Sequence, residues 1–131
     1  MKKTDENPVY YIQYAYVRTN SILEKAQEVP DFANITEADN SHIGINEALL
    51  IKKIVSLKSL LNNISVNTQT HLLANYSIEL ATLFHKYYTH NRVIDLENKA
   101  QSRSRLLLIM LVRDTLATTF DLLGISKPVK M

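Results

Sequence analysis

The chain has 131 residues and a mass of 15.0 kDa, with 46% hydrophobic and 21% charged residues, the balance of one ordinary globular domain. No cysteine is present, which excludes disulfides, thiol catalysis and thiolate zinc sites, and two glycines with three prolines fit neither a phosphate-binding loop nor a turn-rich β fold. The net charge of +2 is unevenly spread: residues 1–85 carry 7 Lys/Arg against 9 Asp/Glu, and residues 86–131 carry 8 against 4, so the C-terminal third is the basic end that suits an acidic partner.

Asn7 to Val29 reads as the first helix, with Asn7 as N-cap and Pro8 at the first position, where its missing N–H costs nothing. Val9, Ile12, Tyr16, Leu23 and Ala26 follow the spacing of a buried stripe. Tyr10, Tyr14, Arg18 and Ser21 fall on the other side, where they either stack on a ligand or pack on another helix. Residues 30–45 lack periodicity and read as a loop or short turns. A second helix runs from Asn46 or Glu47 to about Val66, with Leu50, Ile54, Leu57, Leu61 and Ile64 inward and a break or kink at Asn62-Asn63. A third covers Thr70 to Asn91, with Leu72, Tyr76, Leu80, Leu83 and Tyr87 at helical spacing, flanked by Leu73 and Phe84.

Val93 to Asn98 is a connection. The last helix spans Asn98 to Leu123 and ends at Gly124, with Pro128 shortly after. Its run Leu106–Val112 is apolar on all sides, so this helix is expected at the centre, with Phe84, Leu106, Leu116 and Leu123 in the core. That run of seven is far below the roughly 18 residues that span a bilayer. Met1–Glu6 has no apolar segment of the kind a signal peptide needs, so a cytoplasmic location without membrane contact is expected. The expected architecture is an all-α bundle of four to five helices, one domain over 1–131.

Little in this pattern suits catalysis. His85 and His90 are five apart and diverge by about 140° on a helix, too far to share a metal. No spacing marks a zinc site, and an all-helical chain of this size with few polar core positions is poor material for an active site.

Three stretches together resemble one family. Asn7-Pro8-Val9-Tyr10-Tyr11-Ile12-Gln13-Tyr14-Ala15-Tyr16-Val17-Arg18 is similar to a signature of bacterial arginyl-tRNA synthetases. Leu80 to Tyr88, followed by Asn91-Arg92-Val93, resembles that family's Phe-His-x-Phe-Tyr and Cys-Arg-Val segment. Arg105-Leu106, Asp114-Thr115-Leu116-Ala117, Leu122-Leu123-Gly124-Ile125, Pro128 and Met131 resemble the last helix of the anticodon-binding domain named for Asp-Ala-Leu-Arg. The chain departs from the pattern at Tyr16 (usually His), Val17 (Ala), Asn91 (Cys), Thr115 (Ala) and Ala117 (Arg).

The resemblance implies an excised C-terminal part of a larger class I synthetase, because the first motif starts almost at once and no catalytic signature is present. The parent enzyme would join arginine to its tRNA with ATP and Mg²⁺, while this part alone needs no cofactor and is not catalytic. Its implied partners are the anticodon stem-loop of arginine tRNA and the catalytic domain, with neither DNA nor a membrane involved.

Every arginine anticodon has cytosine at its centre, so one pocket for a central pyrimidine is the expected reader. Unstacked bases are held against aromatic faces. By resemblance, Tyr14, Tyr88 and Met131 are its walls, and Arg92, Arg103, Lys127 and Lys130 are candidates for the phosphate backbone. Arg105 lies on the apolar helix and is expected to pair with a buried acid instead. Two rivals are a helical protein-interaction module, supported by an exposed apolar groove on the bundle and favoured if Tyr14 and Tyr88 are lost to the core, and the related domain of another synthetase, such as the glycyl β subunit.

Overall fold

The computed structural model describes residues 8–36, 43–63 and 70–128. Helix α1 spans Pro8–Gln27, α2 Ile45–Asn63, α3 Thr70–His90 and α4 Lys99–Leu123, with one 3-10 turn at Pro30–Phe32 between α1 and α2. No strand occurs among the described residues. The structure is therefore the expected all-α bundle, with four helices among the described residues.

Helix α4 is the hub: it packs against α1, α2 and α3, and α3 in turn packs against α1 and α2. The reason is in its composition. Leu106, Leu108, Ile109, Val112, Leu116 and Phe120 are all buried, and its buried polar positions are small hydroxyls, of which Thr115 and Thr119 bond back to the helix's own carbonyls and Ser102 to the neighbouring loop. Ser102, for example, receives the Asp95 N–H at 2.7 Å and donates to the Asp95 carbonyl at 2.9 Å, pinning the α3–α4 connection to α4. The helix starts where Asn98 accepts the Gln101 N–H and stops at Gly124, whose φ of 73° is left-handed backbone that glycine adopts without strain.

Several expected stripes are rotated. In α1 the buried line is Ile12, Ala15, Thr19, Ile22 and Ala26, while Val9 is 43% exposed and Tyr16 and Leu23 are half-buried. The small residues Ala15 and Ala26 are buried, and summed hydrophobicity points past them. In α3, Leu73, Ser77 and Ala81 join the core and Leu72 is 39% exposed. Helix α2 is described through Asn63, with Leu61 on the surface; Ile64, Val66 and the chain beyond the expected break or kink at Asn62-Asn63 lie outside the described residues. Phe32, in the stretch read as a loop, is fully buried: the 3-10 turn points it into the core. The N-cap expected at Asn7 also lies outside the described residues.

Candidate nucleic-acid interface

Helices α1 and α3 run side by side, and their shared motif residues meet along one seam. Tyr11 donates its hydroxyl to Thr82 Oγ1 at 3.1 Å. One turn on, Tyr14 stacks on His85, with ring centroids 5.4 Å apart and an angle of 25° between planes. One further turn brings Arg18 over two rings, its Cζ 4.6 Å from the Tyr88 centroid and 5.6 Å from that of Tyr14. Arg18 Nη1 also lies 3.1 Å from His85 Nδ1. A guanidinium only donates, so Nδ1 accepts and the imidazole carries its proton on Nε2. Tyr88 stacks on Phe84 beneath, at 6.2 Å and 19°.

The spacing explains the cluster. Residues 11, 14 and 18 recur at three and four along α1, as do 84/85 and 88 along α3, so each helix offers one rail of side chains to the other. Tyr14, Arg18 and Tyr88 remain half-buried. The face of α1 opposite its aliphatic stripe thus packs on another helix and stays open to solvent as well. Neither tyrosine is lost to the core, the condition that would have favoured a protein-interaction module.

Beside this seam lies a cavity of about 620 Å³ whose lining includes Ile22, Lys25, Tyr88, Asn91, Arg92 and Ile94. Arg92 donates from Nε to the Ile94 carbonyl at 3.1 Å, which curls the α3–α4 loop around the cavity edge. The structure therefore unites three of the named residues, Tyr14, Tyr88 and Arg92.

Arg103 and Lys127 are placed elsewhere. Arg103 donates to the carbonyls of Asp31 and Asn34, tying α4 to the 3-10 turn beside the Lys99–Asp31 ion pair of 2.6 Å. Lys127 pairs with Asp121 on the exposed C-terminal side. Met131 and Lys130 lie outside the described residues. The tail that leads to them is anchored: Gln13 Nε2 donates to the Ser126 carbonyl at 3.1 Å and to its Oγ at 3.2 Å.

His85, which stands in the Leu80–Tyr88 motif, is the plate under Tyr14 and the acceptor for Arg18, a role that its spacing from His90 does not reveal. Its position three before Tyr88, on the same helical face, was the available signal. No cluster of three or more potential metal ligands exists among the described residues.

Behind the seam sits a second polar cluster, and this one is buried. Glu47, 5% exposed, opens α2: its Oε1 accepts the Gly44 N–H at 2.9 Å, the reach-back half of a capping box with Gly44 at the cap. Its Oε2 accepts the Tyr87 hydroxyl at 2.6 Å and lies 3.5 Å from Arg105 Nε, a Coulombic contact rather than a hydrogen bond. This is the buried acid expected for Arg105. Burial opposes the charge of Glu47, but the hydrogen bonds from Tyr87, Gly44 and its own N–H, with the Arg105 charge, outweigh it and hold the carboxyl below its ordinary value of 4.5. Burial, then the bond to Glu47, pushes the Tyr87 hydroxyl well above the usual tyrosine range.

Three of the departures from the family pattern have defined partners, and one of them, Asn91, lines the cavity. Tyr16 tilts against Phe120 at 5.4 Å, Thr115 bonds the Leu111 carbonyl, and Asn91 closes the end of α3 by donating to the Tyr87 carbonyl at 2.9 Å. None touches the Tyr14–Arg18–Tyr88 group in a way that removes it.

The chain is 36% identical over 130 residues to the arginine-tRNA ligase of Oceanobacillus iheyensis and 42% identical over 130 residues to that of Vesicomyosocius okutanii, in each case over 98% of this chain. It covers only 23% and 22% of those proteins, so it spans about a quarter of the length of the relatives it matches. A crystal structure from Campylobacter jejuni, described as an arginyl-tRNA synthetase, superposes with a TM-score of 0.79 at 30% identity, over 99% of this chain and 28% of the other. Residues 12–131 match the DALR anticodon binding domain, and the chain belongs to that family.

Proposed function

We propose that this chain reads the anticodon of arginine tRNA on behalf of an arginine-tRNA ligase, and that the seam between α1 and α3 is the reading face. The observation that supports it is the Arg18 guanidinium seated over the rings of Tyr14 and Tyr88, the second of which lines an open cavity. A loop base that leaves its stack finds here the outer face of a flat cation backed by two aromatic rings, and such stacking is worth about 1–3 kcal/mol per base. The guanidinium offers only donors, and cytosine presents two adjacent acceptors, O2 and N3, on its pairing edge. A central cytosine therefore meets complementary chemistry. His85 and Phe84 fix the plates from behind, so the rings are ordered before RNA arrives.

Arg92 supplies positive charge at the cavity edge for the phosphate backbone. Arg103, Lys127 and Lys130 contribute to the same basic end, Arg103 mainly through charge, since two of its donors already serve Asp31 and Asn34. Met131 is the proposed last wall, as the resemblance implies. Ligation itself, with ATP and Mg²⁺, belongs to the catalytic part of the parent enzyme, which this chain joins in the cytoplasm; no described helix is long and apolar enough to cross a membrane.

Titration with arginine tRNA and with the same tRNA altered at the central anticodon base tests the proposal. The expected result is tighter binding to the unaltered tRNA by about 1–3 kcal/mol, a margin erased by Tyr88→Ala. Equal, steeply salt-dependent binding to both would leave only a basic surface.

A further inference from the structure

The buried cluster behind the reading face has a connection that a purely structural role does not require. Arg105 Nη1 donates to the Arg92 carbonyl at 2.6 Å. One guanidinium thus joins the carboxylate of Glu47, at the start of α2, to the backbone of the residue that edges the cavity. The links are Glu47 Oε2 to Arg105 Nε at 3.5 Å, Arg105 to Arg92, and Arg92 Nε to the Ile94 carbonyl at 3.1 Å. The same carboxylate holds Tyr87, whose sequence neighbour Tyr88 lies under Arg18.

A buried ion pair is weak evidence for stability, because desolvation cancels much of its attraction and an apolar replacement of similar size is often neutral. What such a pair does supply is a fixed direction. We infer that Glu47 and Arg105 are positioning residues for RNA recognition: they set the place of the Arg92–Ile94 segment, and so the shape of the cavity wall beside Tyr88. This rests on the proposed reading of the α1–α3 seam. Two features support it. Arg105 spends its Nη1 donor on a loop carbonyl rather than on the carboxylate beside it, and its Nε, buried and near Glu47, makes no hydrogen bond. The guanidinium is oriented for the loop, with Glu47 as its counter-charge.

The test separates positioning from stability. In the triple variant Glu47→Met/Tyr87→Phe/Arg105→Met all the buried polar ends disappear together, and the exposed Gly44 N–H turns to water. Thermal unfolding, amide NMR of Arg92 to Ile94 in the free chain, and binding to arginine tRNA with cytosine or another base at the anticodon centre are then compared with wild type. The expected result is a near-unchanged midpoint, displaced amide signals at Arg92, Val93 and Ile94 with faster hydrogen exchange, and about tenfold loss of discrimination between the two tRNAs.

Unmoved amide signals would overturn the positioning claim, and moved signals with intact discrimination would overturn its link to recognition. Should the triple variant fail to fold, Glu47→Gln and Arg105→Lys decide. Each keeps part of the contact set and is expected to shift the same three amides, with Arg105→Lys retaining more discrimination than Arg105→Met. Signals at wild-type positions in both would refute the inference. If wild-type chain itself does not distinguish the tRNAs, the reading of the seam fails, while the amide signals still decide whether Arg105 places the loop.

Discussion

Tyr87 and Tyr88 are neighbours in sequence and about 100° apart around α3, and that angle separates two regions of the molecule. Tyr87 turns inward, 5% exposed, and gives its hydroxyl to Glu47 in a corner closed by α2 and α4. Tyr88 turns to the α1 side, half-buried, with its ring under Arg18. The inner corner is hydrogen-bonded and largely buried. The outer seam is held by stacking and a cation, and leaves ring face and guanidinium near an open cavity. A polar aromatic whose hydroxyl is already satisfied serves architecture, whereas one held only by its face retains an edge for a ligand.

The sharpest way to break this contrast is to strip one charge from the inner corner. Glu47→Ala leaves Arg105 buried without its counter-charge and Tyr87 without an acceptor, and should cost about 3–5 kcal/mol in denaturant unfolding. A loss below about 1 kcal/mol would mean that water enters the corner and that it is not the closed region described.

The outer seam should respond in the opposite currency, binding rather than folding. Arg18→Ala uncovers both tyrosines, and should weaken arginine tRNA binding by about 1–3 kcal/mol in a fluorescence titration while the chain stays folded.

Alkaline titration sharpens the distinction further. Burial raises the Tyr76 hydroxyl, which donates to the Lys53 carbonyl at 2.6 Å, to about 12. A raised value favours the protonated form of the folded state, so its contribution is complete below about pH 10 and is lost as pH climbs from 10 toward 12. Unfolding midpoints across that range should fall less steeply in Tyr76→Phe than in wild type. At the other end, the lowered carboxyl of Glu47 gives stability that is present above pH 4.5 and lost as pH falls through its folded value.

The smallest effect is expected at the tail. Gln13→Ala removes two exposed hydrogen bonds to Ser126, and should cost no more than about 1 kcal/mol in stability. Faster amide exchange at Ser126 and Lys127, with the rest of the chain unchanged, would show that Gln13 acts as a tether alone.

Much of this fold is legible from the chain. The apolar run of α4 identifies the hub because no solvent-facing helix tolerates it, and Asn98 and Gly124 mark its ends through local backbone chemistry. The stripe of α1 is less legible, because burial of Ala15 and Thr19 depends on how closely α4 approaches, a distance that no single helix encodes. Phe32 is hidden by its surroundings, since the proline and polar residues around it speak for a turn and say nothing of where the ring points.

The candidate site follows the same division. Tyr14, Arg18 and Tyr88 sit in motifs that mark them. Their meeting over His85 depends on the register of α1 against α3, which is a tertiary property. Arg103 shows the converse: its charge suggested RNA, and the carbonyls of Asp31 and Asn34 instead became its nearest partners because the 3-10 turn packs against α4.

The most direct measurement is an amide and aromatic NMR titration of the chain with an arginine anticodon stem-loop carrying cytosine at its centre. The account predicts that the signals of Tyr14, Arg18, His85, Tyr88 and Arg92 move first and farthest, with Tyr87 and Glu47 nearly still. Movement centred on the outer surface of α2, or spread evenly over the lysines, would contradict it.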